Sequence, residues 1–312
     1  MSKRNSQEAK RAARERLRAE RERQARREKI RRQLTVAGAT VVALVAVAGI
    51  VVGITKLTDE SDDVKAWKEV RNEKLVKPKN TADVNGTTIV IGDRKAPVLE
   101  IYEDPRCPVC AAFERNTGET VRKDIEDGKY KVSFTFGTFI DDIPGAKGTG
   151  SKNALSALGA ALNVSKEAFL DYKEALYSPK YHPAEQDDKF ADDDYLLKVA
   201  QEVDALKDNA SFEKNVKEGT FDRWALEMSD KYDKAPVSGT PSFRMFGETL
   251  QVEGAQEGTP ITTPEQLNAA VDKALAAQKD KGGQDDAGDE NGERSDDKSD
   301  DAARRDEEAD QE

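Results

Sequence analysis

The sequence predicts an α/β domain that is interrupted by a helical insertion and preceded by a single transmembrane helix. Three observations carry this: an uncharged apolar run of 21 residues at 34–54, short β-branched segments at both ends of the region beyond it, and a long strand-free helical stretch between those segments.

The 312-residue chain has a net charge of -11 at pH 7, spread unevenly. Residues 1–32 hold 14 Lys and Arg against 5 Glu, and residues 278–312 hold 15 Asp and Glu against 6 Lys and Arg. The first segment contains neither Gly nor Pro and is rich in Ala, Arg and Glu, a composition that favours helix. The last has almost nothing apolar to bury and reads as a solvated, disordered tail.

The apolar run matches a bilayer core of roughly 30 Å at about 1.5 Å per helical residue. A cleaved signal peptide, the alternative, has a shorter apolar region and a shorter charged leader. Basic residues before the run and the acidic segment 58–63 after it place the N-terminus in the cytoplasm and everything from residue 56 onward outside. Disulfides form and persist there. The basic arm has no aromatic residue to stack on bases. It leads directly into the span and reads as a topology determinant touching anionic headgroups, not as a specific nucleic-acid site. The chain thus divides into a basic cytoplasmic arm (1–33), a transmembrane helix (34–55), a juxtamembrane stalk (56–81), a folded domain (82–277) and an acidic tail (278–312).

Within the domain, residues 87–91 and 98–102 are β-branched and apolar and flank the turn signal Gly92-Asp93. Helical residues follow Cys107, with a break expected at Gly118, and residues from Tyr130 alternate as a third strand. Residues 151–161, 167–176, 195–202 and 221–232 carry helical patterns, so an insertion at about 145–235 is helical. Strand character returns at 242–246 and 249–252 around Gly247-Glu248. Thr263 as N-cap, Pro264 in the first turn and Glu265 beside it open a closing helix.

Cys107 and Cys110 are the chain's only cysteines, in a C-x-x-C that is weak by itself. A structural zinc site takes four ligands, and these two with His182, the single histidine, leave it one short. No metal is therefore expected. A disulfide clip here would close only four residues and stabilise little. A redox pair accounts better for the placement. Cys107 follows an apolar strand, and Pro108 suits the first position of a helix. A thiol there meets unpaired amides and the positive end of the helix dipole, which favour the thiolate. Cys107 is then the exposed nucleophile and Cys110, one turn further in, the buried partner that closes or resolves the disulfide. Arg106 is expected just outside the site and His182 on a polar surface loop.

The segment 98–110, VLEIYEDPRCPVC, resembles the active-site strand, loop and helix start of the DsbA-like thiol-disulfide oxidoreductases, which have a thioredoxin fold. Pro108 stands where that family has proline. A second similar stretch, Ser238-Gly239-Thr240-Pro241-Ser242-Phe243, lies 131 residues beyond Cys110. Together the two span essentially all of 82–277. The resemblance implies that Pro241 is cis beside the cysteines and that Thr240 presents its backbone to an extended substrate segment, a sequence-tolerant way to hold unfolded chains. It also implies no cofactor beyond the cysteine pair, exported thiol-containing proteins as substrates, and a quinone-linked membrane partner for re-oxidation. Two departures stand out. Val109 occupies the place of a histidine in the family's strongest oxidants and offers the thiolate no charge or hydrogen bond, so a weaker oxidant is expected. Ile101 occupies the place of a glutamate, with Glu100 one step off, which puts a proton-relay role for Glu100 in doubt. The function expected is a membrane-tethered, extracytoplasmic oxidoreductase forming disulfides in exported proteins. A reductase or isomerase, or a non-redox peptide-binding chaperone on the same fold, are the alternatives.

Overall fold

The computed structural model describes residues 62–285. The basic arm, the apolar run and most of the acidic tail fall outside the described residues, and no helix among the described residues is long and apolar enough to cross a membrane.

Helix α1 (Asp62–Val70) leads to β1 (Ile89–Ile91) and β2 (Val98–Glu103). From β2 the chain crosses through α2 (Pro108–Glu126) to β3 (Lys131–Phe136), which runs parallel to β2. A parallel pair needs such a crossover, and a helix supplies it. After β3 come α3 (Gly150–Val164), α4 (Lys166–Tyr177), α5 (Asp193–Ala200), α6 (Ala210–Lys217) and α7 (Asp222–Asp233). The hairpin β4 (Ser242–Met245) and β5 (Glu248–Thr249) and a final helix α8 (Pro264–Asp285) complete the domain. Strand order is β1-β3-β2-β4-β5, with every pair except β2 and β3 antiparallel.

Alternation along the strands decides what the core receives. Leu99, Ile101 and Glu103 lie opposite Val132, Phe134 and Phe136 and share one face. Phe169 of α4 packs edge-on against Phe134 and Phe136, and Phe113 of α2 lies tilted against Phe243 of β4. Glu103 therefore points into an apolar layer. In α2 the buried positions are 110, 111, 113, 114, 117, 118 and 121, a helical stripe. No break occurs at Gly118. A Cβ there would stand 3.1 Å from the Glu114 carboxylate, so the glycine makes room for that group.

Two other differences from the sequence reading have clear causes. Residues 62–80 do not project as a stalk: Val70 is buried, the Arg71 guanidinium makes two hydrogen bonds to Asp230 of α7 at 2.9 and 3.1 Å, and the Asn80 amide donates to the Leu162 carbonyl at 2.7 Å. Helix α6, absent from the periodicity, is only 8 residues long, so its stripe is reduced to Phe212 and Val216. Its start is nonetheless marked by Asn209, whose side-chain oxygen accepts from the amides of Ser211 and Phe212.

Helix α3 is apolar nearly all round because other helices enclose it. Gly159 is its closest point to α7, where an added Cβ would come within 2.8 Å of the Trp224 ring. Trp224 is fully buried and donates from Nε1 to the Gly86 carbonyl, so it has no room to retreat. Gly159→Ala gains about 1 kcal/mol of helix propensity but overpacks this contact at about 1–3 kcal/mol. The expected outcome is a lower urea midpoint with an unchanged m-value; a midpoint at or above wild type would refute the packing argument.

Candidate active site

The end of β2 and the start of α2 position the cysteines. Cys107 is the N-cap of α2, in an extended conformation, with Pro108 at the first helical position. Its amide donates to the Asp104 carbonyl at 2.9 Å, which closes the turn between strand and helix. Its sulfur accepts from the Cys110 amide at 3.5 Å. Both thiols are free. Cys110 is wholly enclosed, and Ala111, Ile140, Ala146 and Tyr177 share its apolar pocket. Val109, Phe139 and Ile143 pack around this cluster half-buried, while Pro108 is exposed.

Register brings the second motif here. Ser242 of β4 pairs with Tyr102 of β2, so the preceding Thr240 and Pro241 fall beside the loop that begins at Glu103. The Thr240–Pro241 peptide is cis. The Cys107 thiol donates to the Thr240 backbone carbonyl at 3.6 Å, and the Thr240 hydroxyl is buried without a hydrogen-bond partner. Cys107 is in consequence only 5% exposed, not open as the sequence suggests.

The two thiols are driven apart in acidity. The facing Cys110 thiol, foremost, and the amides of Cys110 and Val109 outweigh burial and bring Cys107 down to about 6. Burial, then the facing Cys107 and the charge of Glu103, push Cys110 well above its ordinary value. One sulfur is thus an anion at neutral pH and the other a held thiol. That is the division of labour a nucleophile and a resolving partner require.

Glu103, Lys173 and Glu114 form a charged group behind the sulfurs that sequence reasoning missed. Lys173 of α4 reaches the carboxylate of Glu114 and lies 3.3 Å from Glu103 Oε2, with all three side chains buried. Burial disfavours the Lys173 ammonium, yet the two carboxylates hold its pKa above the usual value. One lysine cannot balance two acids in an apolar layer. Burial pushes Glu103 up to about 7 against the attraction of Lys173, with Glu114 and Cys107 adding to the push. The one available signal was strand alternation, which puts a glutamate on the apolar face of β2. Glu100, by contrast, sits on the opposite face and pairs with Arg244 and Tyr102.

Arg106 and His182 are not surface residues. The Arg106 side chain is 1% exposed and pairs with Asp141 and Asp188, both at 2.9 Å. His182 packs between the rings of Tyr177 and Phe190, and burial followed by the charge of Arg115 lowers it to about 4. It is neutral at physiological pH.

A family model described as thioredoxin matches residues 84–273. Among solved structures, the reduced disulfide bond oxidoreductase DsbG of Mycobacterium tuberculosis is 25% identical, over 65% of this chain and 84% of that one, with a TM-score of 0.46. Reduced DsbA of the same organism is 22% identical over 61% and 92%, with a TM-score of 0.49. The serine/threonine-protein kinase PknE of M. tuberculosis is 24% identical over 155 residues, which are 49% of this chain and 27% of the kinase. The chain therefore spans about a quarter of the length of the curated relative it matches.

The Glu103 proton has a consequence for stability. Its folded pKa of about 7 lies above the ordinary 4.5, so the stability it confers is complete below 4.5 and lost as pH rises through 7. Glu103→Gln, neutral at every pH, is expected to flatten the fall in unfolding free energy between pH 5 and 8 by up to about 3 kcal/mol. Urea titrations at both pH values measure this; parallel losses in wild type and variant would remove Glu103 from the account.

Proposed function

Since the chain belongs to the thioredoxin family, we propose that it is a thiol-disulfide oxidoreductase that forms disulfides in exported proteins through Cys107 and Cys110. The observation that carries this reading is the opposed acidity of the two thiols at the mouth of α2. In the oxidised enzyme a substrate thiolate attacks the Cys107 sulfur. A mixed disulfide forms, the Cys107–Cys110 bond breaks, and Cys110 leaves with the electron pair. Cys110 takes up a proton, for which Glu103 is the nearby buried acid. A second substrate thiolate then attacks the substrate sulfur of the mixed disulfide, and Cys107 departs as a thiolate. The substrate loses two electrons and two protons; one proton ends on Cys110 and the other goes to solvent, which leaves the reduced enzyme with a Cys107 thiolate beside a Cys110 thiol. No other cofactor enters these steps.

A stabilised Cys107 thiolate stabilises the reduced enzyme and so makes its disulfide oxidising. The value of about 6 lies between thioredoxin at about 7 and the strong oxidant DsbA at about 3.5. Val109, with no charge or hydrogen bond to offer, fits that intermediate place. The Thr240 backbone would hold an extended substrate segment by strand addition. Uncharged residues 34–54 support a membrane tether with the domain outside the cytoplasm, where exported clients and a quinone-linked re-oxidant would be met. Val109 also favours the second reading, a reductase or isomerase at the same site.

Equilibration with glutathione decides between them. The Cys107–Cys110 couple is expected to fall between about -270 and about -120 mV, and a value below the first would favour the reductase. Replacing both cysteines by serine should abolish oxidation of a reduced client. Retained protection of unfolded protein by that variant, with no redox activity in the wild type, would instead identify a chaperone module.

A further inference from the structure

We propose that Arg106 is a positioning residue: it locks the loop carrying Cys107 onto the helical insertion and thereby sets the reactivity of the Cys107 sulfur. The proposal rests on Cys107 being the nucleophile, as argued above.

Arg106 immediately precedes Cys107, yet its guanidinium is turned inward. Nη1 pairs with Asp141 and Asp188, while Nη2 donates to the carbonyls of Ala146 at 3.0 Å and Glu185 at 2.8 Å. One side chain thus joins two segments of the insertion that lie about forty residues apart in sequence. A planar fork with several donors suits this arrangement, and a lysine ammonium cannot reproduce it.

The acceptors are themselves fixed. Asp141 accepts from the amides of Ser151 and Lys152 at 2.8 and 3.0 Å, and Asp188 from those of Thr149 and Gly150 at 2.9 and 3.0 Å. These amides lie at the start of α3, where no intrahelical partner exists, and the dipole there favours negative charge. A Cβ at Gly148 or Gly150 would collide with the Asp188 carboxylate. The stretch Gly148-Thr149-Gly150-Ser151 is therefore shaped around this cluster.

At its backbone end the same residue belongs to the turn that places the sulfur. The Arg106 amide donates to Asp104 Oδ1 at 2.9 Å, and the Cys107 amide donates to the Asp104 carbonyl. Asp104 in turn accepts from the Ser151 hydroxyl at 2.7 Å and the Ile140 amide at 3.2 Å. The Cys107 sulfur draws its acidity from the facing Cys110 thiol and the amides of Cys110 and Val109, contacts that weaken as the loop shifts. The other titratable groups facing it are Glu103, Tyr177 and Tyr232. None of these bonds to Arg106.

The test follows thiolate absorbance and Cys107 alkylation against pH in the full chain, for wild type, Arg106→Lys and Asp188→Asn, with urea unfolding alongside. Arg106→Lys keeps the charge and loses the fork. Asp188→Asn removes a negative charge, which by field alone would lower the thiol pKa. Positioning predicts that both variants move the midpoint upward by about half a unit to one unit, with alkylation at pH 6 slowed about two- to fivefold. Asp188 is partly exposed, so its variant carries the test if Arg106→Lys does not fold. Midpoints equal to wild type, or a downward shift in Asp188→Asn, would overturn the proposal whatever happens to stability. A wild-type midpoint near that of free cysteine, about 8.5, would overturn the nucleophile reading and this one together.

Discussion

The site depends on one constraint: a sulfur occupies the N-cap of α2, where a helix has amides with no internal partner. Serine or aspartate would commonly fill that position with an oxygen. Cysteine fills it with a group whose charge can be switched by bond formation. In the dithiol the Cys110 amide points at Cys107 Sγ and the anion is favoured. In the disulfide that charge is gone and the same amide has a poorer acceptor. Every contact that strengthens the first arrangement therefore makes the oxidised form more willing to give its bond away.

Such a constraint is useful only if the surroundings hold still, and the buried charges are arranged to that end. On one side Glu103, Lys173 and Glu114 sit beneath the sulfurs; on the other Arg106, Asp141 and Asp188 hold the loop. Buried ion pairs are weak evidence for stability, since desolvation can cancel their attraction. Their value here lies in geometry: Lys173 ties α4 to β2 and α2, and Arg106 ties the Cys107 loop to Asp141 and Asp188. Burial leaves Glu103 close to neutrality near pH 7, so it can hold a proton where a surface carboxylate could not.

Much of this was legible in the sequence, and the missing parts share a cause. Residues 238–243 became legible only through the family resemblance, whereas strands and the cysteine motif are local or set by alternation, so residues 98–110 could be read directly. The closing helix was readable in the same way: the Thr263 hydroxyl accepts from the Gln266 amide, and the Gln266 side chain accepts from the amide of Thr263. What could not be read were pairings over long separations. Lys173 meets Glu114 across 59 positions and Glu103 across 70, and Arg106 meets Asp141 across 35. In the sequence each is an ordinary charged residue in a chain that is 36% charged. Arg106 was placed outside for want of any signal that two aspartates and two carbonyls await it.

The helical insertion then takes on a different role from an appendage on a sheet. It contributes Lys173 to the rear of the cysteine pair and Asp141 and Asp188 to its flank, and Tyr177 of α4 donates from its hydroxyl to the Asp104 carbonyl, the same oxygen that receives the Cys107 amide. With the insertion in place but Lys173, or Asp141 and Asp188, replaced by apolar residues, Glu103 or Arg106 would be left as a buried, unpaired charge costing several kcal/mol. Sequence changes at Glu103, Glu114 or Arg106 are consequently tied to changes in the insertion. A sheet residue and a helix residue tens of positions apart must be kept, or lost, together.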